Sequence, residues 1–409
     1  MSESTTGRVL ISGAGVAGPA LAYWLDRFGF EPTVVEVAPA LREGGQAVDF
    51  RGEAHLRLLG RMGILDEIRA QQVHMGATSF VDARGDRQAG LDDEFASGDV
   101  EIMRGDLTRI LHRATADRAE YVFGDSVTSI EEDAAGVAVT FRNAAPARYD
   151  LVVGADGLHS NVRRLVFGEE SRFVEHMGYY VASFSADDRP LPARTGWIQC
   201  VPGRAAGLSS SERSTRGTVY FASPALDYDR HDAAAQKRIV ADHMKGVEGQ
   251  VPRVLDSMWR APDLYLDSIS QVHMEEWSKG RVTLLGDAGY GGTIGGMGTG
   301  VALVAAYVLA GELAASPRDH VAAFRRYSDR VRDFALRCQK GAASVGPFMA
   351  PRSRLGIWAR NQTLRAMYLM PGKGLMERMA AGRASGIDLP DYPSSDAMPV
   401  PVVPGTLPT

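Results

Sequence analysis

Cysteine is scarce in this 409-residue chain, where only Cys200 and Cys338 occur. Two distant cysteines exclude a disulfide framework or a cysteine-rich metal centre, and they suit a reducing compartment. The nine histidines lack metal-ligand spacing, and no Ser-His-Asp or Cys-His arrangement is recognisable. No metal and no catalytic side chain is therefore assigned. Dense basic runs are also missing and the formal net charge is −5, which argues against a polyanion-binding surface. The longest apolar stretch, near Val301 to Ala315, is interrupted by Gly311 and Glu312. It falls short of the ~20 residues that a membrane-spanning helix needs. The opening MSESTTGR is polar and leads straight into an apolar strand, unlike a signal peptide. With 45% hydrophobic and 23% charged residues, the expectation is a globular cytoplasmic protein without membrane or nucleic-acid partners.

What is present begins with a βαβ unit. Arg8–Ser12 (RVLIS) reads as a buried strand, Pro19–Phe28 as an apolar-faced helix and Thr33–Val37 as a second strand parallel to the first. Two further strand-plus-glycine units follow at Leu151–Gly157 and Val282–Asp287. Between them, Glu175 to Ser223 alternates β-prone runs with turn residues, as an antiparallel sheet does. A helix is predicted from Ser316 as N-cap, with Pro317 at its first helical position, to about Lys340; Val321, Phe324, Val331, Phe334 and Cys338 fall roughly on one face. Six prolines in the last 22 residues predict an extended, poorly packed tail.

The fold class expected is α/β: a Rossmann-like dinucleotide domain with an inserted antiparallel β-sheet substrate domain and C-terminal helices. The first would comprise residues 1–75, 100–174 and 269–340, and the second 76–99 and 175–268. A helical segment (341–387) and a proline-rich tail (388–409) would follow.

The loop GAGVAG carries the chemistry of the first unit. Gly13 permits the tight turn, Gly15 lets backbone approach a pyrophosphate, and Gly18 lets helix pack on strand, with Val16 and Ala17 completing the loop. The helix N-terminus then offers free N–H groups to phosphates. Glu36 follows Gly18 by 18 residues and ends the second strand, where a carboxylate accepts hydrogen bonds from a ribose diol. The loop predicts a dinucleotide without choosing between FAD and NAD.

Two later motifs make that choice. DLVVGADGLHSNVR (150–163) and GRVTLLGDAGYGGTIGGMGTGVALVAAYVLAGEL (280–313) resemble the Asp-Gly and Gly-Asp motifs of class A FAD-dependent aromatic monooxygenases. These are the p-hydroxybenzoate hydroxylase-like enzymes, which include the tetracycline-inactivating monooxygenases. Asp287, after a buried strand, is suited to accept hydrogen bonds from a ribityl chain. The glycine run Gly295, Gly296, Gly298 and Gly300 brings a helix N-terminus to where charge develops on reduced flavin. The resemblance further implies cofactor contacts at Arg42, Arg104, Val127, Asp156, Gly157, Gly296, Met297 and Gly298. It departs after the GDA segment, where GlyGlyThrIle replaces a proline-bearing loop and Gly300 stands where asparagine is common, implying a more flexible loop.

The resemblance implies bound FAD, transient NADPH or NADH, and oxygen transfer to an aromatic or polyketide-like small molecule through a C4a-hydroperoxyflavin. Gln46, Asp49, Trp197, Gln199, Arg213 and Tyr220 are the substrate-side candidates, and His159 reads as a surface residue. No second GxGxxG follows a strand, so a separate nicotinamide domain is not expected. Three other readings stay open: an NAD-dependent dehydrogenase, a flavin oxidoreductase that inserts no oxygen, and a non-catalytic flavin-binding protein. Substrate identity, nicotinamide preference and oligomeric state are not legible.

Overall fold

A computed structural model describes residues 7–42, 44–92, 98–186, 191–293, 298–369 and 387–392. Its first sheet contains β1 (Arg8–Ser12), β2 (Glu31–Glu36), β7 (Glu120–Phe123), β11 (Leu151–Gly154), β17 (Ser278–Lys279) and β18 (Val282–Leu284), in the order β17-β18-β11-β1-β2-β7. All neighbours are parallel except the β17–β18 hairpin. Every residue of β1 after Arg8 is buried, as a central parallel strand covered on both faces requires. One face carries α1 (Ala17–Arg27), α2 (Glu53–Arg61), α3 (Leu65–Ala70) and α4 (Arg104–Arg113). The other is covered by the small sheet β8 (Val127–Asp133), β9 (Gly136–Phe141) and β10 (Ala147–Tyr149), and by α5 (Asn161–Phe167).

The second sheet joins β4 (Ala77–Val81) and β5 (Arg87–Leu91) to β12 (Val174–Ser185), β13 (Thr195–Val201), β14 (Arg204–Ser210), β15 (Thr215–Ala222) and β16 (Tyr265–Val272). Their order is β16-β12-β15-β14-β13-β4-β5, antiparallel except where β13 meets β4. Strand β16 runs across the expected boundary between residues 268 and 269. One face packs on α6 (Ala233–His243) and α7 (Val251–Arg260) through Ala182, Phe184, Leu208, Val219 and Phe221. A two-stranded ribbon, β3 (Ala47–Phe50) with β6 (Val100–Met103), lies in the connection between β2 and α4.

The chain returns through a helical turn, α8 (Asp287–Tyr290), into α9 (Gly298–Ala314) and α10 (His320–Ala342), then α11 (Val345–Met349) and α12 (Arg354–Leu369). Helix α9 is buried on nearly all sides between α1 and α10, which explains why it is apolar all round rather than amphipathic. No helix among the described residues is long and apolar enough to cross a membrane.

Several expectations are corrected. The N-cap of α10 is Asp319, whose carboxylate accepts the Ala322 N–H at 2.9 Å; Ser316 and Pro317 lie in the preceding turn. Val321 is 63% exposed, whereas Phe324, Val331, Phe334 and Cys338 are buried. The tail's described part, 387–392, is well packed: Leu389 is buried and the Tyr307 hydroxyl donates to the Pro390 carbonyl at 2.6 Å. Extended backbone held by such contacts needs no internal hydrogen bonds of its own, so proline does not prevent packing.

The same contacts explain Glu312, whose side chain is buried within α9. Its carboxylate accepts Arg326 Nε at 2.6 Å, Arg330 Nε at 2.7 Å and the Tyr392 hydroxyl at 2.6 Å. Burial alone would raise its pKa, but Tyr392 and the two arginines hold it below the ordinary glutamate value of 4.5. Glu312→Ala is expected to cost about 2 kcal/mol in denaturant unfolding, since it strips a buried set of charge-assisted bonds. Because the folded pKa is depressed, the difference from wild type should be full above pH 4.5 and shrink as pH falls through the lower folded value.

Candidate functional site

The predicted phosphate loop lies where β1 hands over to α1. Gly13 has φ +111°, and a Cβ there would lie 2.5 Å from the Ala155 carbonyl oxygen. A Cβ on Gly18 would lie 1.9 Å from the Gly13 carbonyl oxygen. Both positions therefore require glycine. Gly15 differs, because a Cβ there would meet only an Arg104 guanidinium nitrogen at 3.8 Å. Val16 and Ala17 are buried in the core, and no side chain caps the N-terminus of α1. The first N–H groups of that helix thus lack intrahelical and side-chain partners. Glu36 accepts the Ala14 N–H at 2.8 Å on one oxygen and the Ala38 N–H at 2.9 Å on the other. Each oxygen keeps a lone pair for a further donor.

Arg104 opens α4 and is exposed. Its backbone N–H donates to the Gln46 carbonyl at 3.0 Å, which fixes its base beside the β2–β3 connection. Asp287 stands at the start of α8, 3.5 Å from where a Gly298 Cβ would sit. Burial raises its carboxyl above the ordinary value, with Arg104 opposing and Asp267 adding to the shift. Among the described residues, neither the Arg104 guanidinium nor the Asp287 carboxylate has a hydrogen-bond or ion-pair partner. Unpaired groups of opposite charge flanking a glycine loop and a bare helix N-terminus fit a ligand that brings both phosphates and hydroxyls.

Other candidates are placed differently. The Asp156 carboxylate is turned inward, accepting the Ser160 hydroxyl, the Val162 N–H at 3.0 Å and the Ser12 hydroxyl at 3.4 Å. It ties α5 and β1 together, while the Gly157 Cα faces open space at φ +83°. Val127 is buried, and its carbonyl accepts Asn161 Nδ2 at 2.7 Å. Its strand follows the turn that hydrogen-bonds the end of β2 through Asp125 N–H and the Glu36 carbonyl. Arg42 is exposed on the β2–β3 connection. Gly296 and Met297 lie outside the described residues.

On the substrate side, alternation along the strands sorts the candidates. Trp197 packs with α6 and α7, and Gln199 brackets their connection, donating to the Glu248 carbonyl at 2.8 Å and accepting the Gln250 N–H at 2.7 Å. Both turn to the sheet face opposite Tyr220. Arg213, exposed in the β14–β15 turn, donates to the Gln71 carbonyl at 3.1 Å and bridges to Asp106 at 3.8 Å, so it links the second sheet to the helices of the first. Asp49 is paired with Arg51 on the ribbon. Tyr220 is on the other face, with Val181, Ile269 and Tyr265 and packed against α11; burial pushes its phenol up to about 12.

That face carries residues that sequence reasoning missed. Arg216 is buried, bridges to Asp263 at 3.1 Å and reaches within 3.9 Å of a Cβ placed on Gly44. Tyr265 donates to Asp267 at 3.3 Å, and its phenol is raised well above the ordinary value by burial and by Asp267, with Arg104 opposing. His159 is half-buried rather than a surface residue: Nδ1 lies 3.0 Å from Glu170 and Nε2 3.2 Å from Asp267. Burial lowers its pKa, but hydrogen bonds with Asp267 and Glu170 more than compensate. Only alternation within a correctly registered sheet would have signalled Arg216 and Tyr265, and only the fold brings the partners of His159 together.

Comparison with known proteins agrees with this geometry. Residues 6–340 match the FAD binding domain family. An uncharacterised protein of Mycobacterium tuberculosis is 41% identical over 81% of this chain and 91% of its own length. A flavin-dependent monooxygenase of Legionella longbeachae is 34% identical over 95% of this chain and 99% of its own. The crystal structure of tetracycline destructase Tet(51) superimposes with a TM-score of 0.80 at 32% identity, covering 95% and 99% of the two chains. The fold and site thus define an FAD-binding oxidoreductase. The chain belongs to the FAD-binding family of p-hydroxybenzoate hydroxylase-like flavoprotein monooxygenases.

The glycine geometry separates folding from cofactor binding. Gly15→Val should leave the melting temperature of the flavin-free protein within a few degrees of wild type, since the added atoms enter open space. The same atoms should block close backbone approach and abolish FAD retention, read as flavin absorbance after gel filtration. A variant that elutes fully flavinated would remove the phosphate-loop assignment.

Proposed function

We propose that the protein is an NAD(P)H-consuming monooxygenase that hydroxylates an aromatic or polyketide-like small molecule between the two sheets. The observation that carries this reading is the pair of unpartnered groups, Arg104 and Asp287, beside the glycine loop and opposite the Tyr220 and Tyr265 face. FAD, when bound, supplies electron transfer from nicotinamide and the activation of dioxygen.

The chain's residues supply position and electrostatics. The α1 N-terminus and Arg104 hold the pyrophosphate, with Gly13, Gly15 and Gly18 letting backbone come close. Glu36 takes the ribose hydroxyls, with Val127 beside the adenine, and Asp287 takes the ribityl hydroxyls. The first turn of α9, beginning at Gly298, presents its positive end to the isoalloxazine, where negative charge gathers on reduction. Arg42 at the edge meets the cofactor or the transient nicotinamide, and Gly157 leaves backbone open there; Asp156 acts by holding that turn.

On the substrate side, Tyr220 offers a donor hydroxyl, Tyr265, whose proton goes to Asp267, offers an acceptor oxygen, and Val181 and Ile198 share the same face. Gln46 and Asp49 contribute from the β2–β3 connection and the ribbon that follows it. A mostly apolar face with a few fixed polar groups suits a flat phenolic or polyketide ring system. A relative of similar fold is named a tetracycline destructase, which supports that class of substrate.

The reading is tested by screening simple phenols and tetracyclines for faster NAD(P)H oxidation by FAD-loaded protein under labelled dioxygen. One labelled oxygen atom in the product is the expected result. Oxidised product without label would make the protein a flavin oxidoreductase, and no acceleration by any compound would leave a flavin-binding protein. Asp287→Ala should weaken FAD binding roughly 10- to 100-fold, the loss of charged hydrogen bonds to hydroxyls. Unchanged affinity would reduce the GDA segment to a turn.

A further inference from the structure

Helix α9 begins on glycines, yet the space beside its first turn is filled by another element. His55, on α2, is 1% exposed. Its Nδ1 lies 2.6 Å from the Arg51 carbonyl oxygen. Its Nε2 sits beside Gly300, so close that a Cβ at that position would clash with it outright. The ring is wedged between Phe50 of the ribbon and Phe334 of α10, each with centroids 6.2 Å away. Nothing larger than hydrogen fits at position 300.

Despite this proximity, Nε2 forms no well-aligned hydrogen bond and has only a loose polar contact with the Gly300 backbone. An unsatisfied buried nitrogen costs stability, and a phenyl ring would fill the same space without that cost. Burial pushes the imidazole below its ordinary value, with the Arg51 and Gly300 backbone and the Asp49 and Asp99 charges opposing. The retained nitrogen therefore calls for a partner in another state of the protein. The backbone it faces at Gly300 is that of the α9 turn, and hydrogen bonds at such sites are often misaligned until the ligand is in place.

We propose that His55 is a positioning residue for the flavin-facing end of α9, its Nε2 bonding a peptide group of that first turn once FAD is seated. The inference rests on the reading that α9 presents its N-terminus to the flavin. A helix start shifted by a fraction of an ångström changes the field at the reduced ring, so His55 tunes flavin affinity and redox potential without touching the cofactor. It also explains why residue 300 is glycine: the position is occupied from α2.

The test uses His55→Phe, His55→Ala and Gly300→Ala in the full chain. His55→Phe keeps the packing and removes the unsatisfied nitrogen, so the flavin-free protein should melt at the wild-type temperature or above. The same variant should bind FAD about tenfold more weakly by fluorescence titration, equivalent to about 1.4 kcal/mol, and its flavin midpoint potential should fall. Wild-type affinity and potential in His55→Phe would overturn the proposal. Gly300→Ala should destabilise the wild-type background and be tolerated in His55→Ala; equal losses in both would show that the ring does not hold this turn. Loss of FAD binding in wild type itself, or full retention in Gly15→Val, would instead remove the cofactor reading beneath it.

Discussion

Helix α1 can rest on strand β1 only because nothing projects from Gly18. The Gly13 carbonyl occupies the place where a side chain would be, and Gly13 in turn presses against the Ala155 backbone. This three-way backbone contact ties the first strand, the first helix and the Asp-Gly segment into one unit. It leaves the N–H groups of α1 uncapped and places Gly15 with open space above it. Helix α9 packs across α1, so the Asp287 turn is referenced to the same core. The glycine loop and the Asp287 turn are thus positioned by one packing decision.

The two large sheets meet through polar ties as well as apolar ones. His159 is held between Glu170 and Asp267 of β16, and Arg213 reaches Gln71 and Asp106, while within the second sheet Arg216 is paired with Asp263. Each of these groups has its charge answered within the protein. Arg104 and Asp287, in the same region, feel each other's charge but have no hydrogen-bond or ion-pair partner among the described residues. A charge already balanced inside the fold has little left to give a ligand, whereas an unanswered one is stabilised by whatever brings the complementary group. That contrast, rather than residue type, separates the charges that hold the fold from those left for a ligand.

Local signals made the first unit legible. The strand, glycine loop, helix and Glu36 are neighbours in sequence, so spacing alone puts them together, and Asp287 was reachable because its strand and following glycines are also contiguous. Long-range choices were not legible. Strand β13 is covered on both faces, so alternation could not say whether Trp197 or Ile198 faces the cleft; the α6–α7 layer takes Trp197. His159 read as surface because its partners, Glu170 beyond α5 and Asp267 of β16, meet it only in the folded chain. Ser316-Pro317 had the form of a helix start, but Asp319 offered a stronger carboxylate cap three residues later. The packing of the tail's described part depends on Glu312, whose need for a third donor beside two arginines is visible only in three dimensions.

Gly300 is the sharpest case of this limit. Read along the chain, a glycine at the head of α9 means lost side-chain contacts and a looser turn. In the fold the contacts are present but supplied from α2, whose His55 ring fills the position. A small residue at one site and a large one at another are then a single packing solution, and neither is informative alone. The glycine carries the entropic cost of its freedom in the unfolded chain, while the imidazole restores order only after α2 and α9 have docked. Order at the head of α9 is therefore a tertiary property, coupled to the core that also seats the phosphate loop.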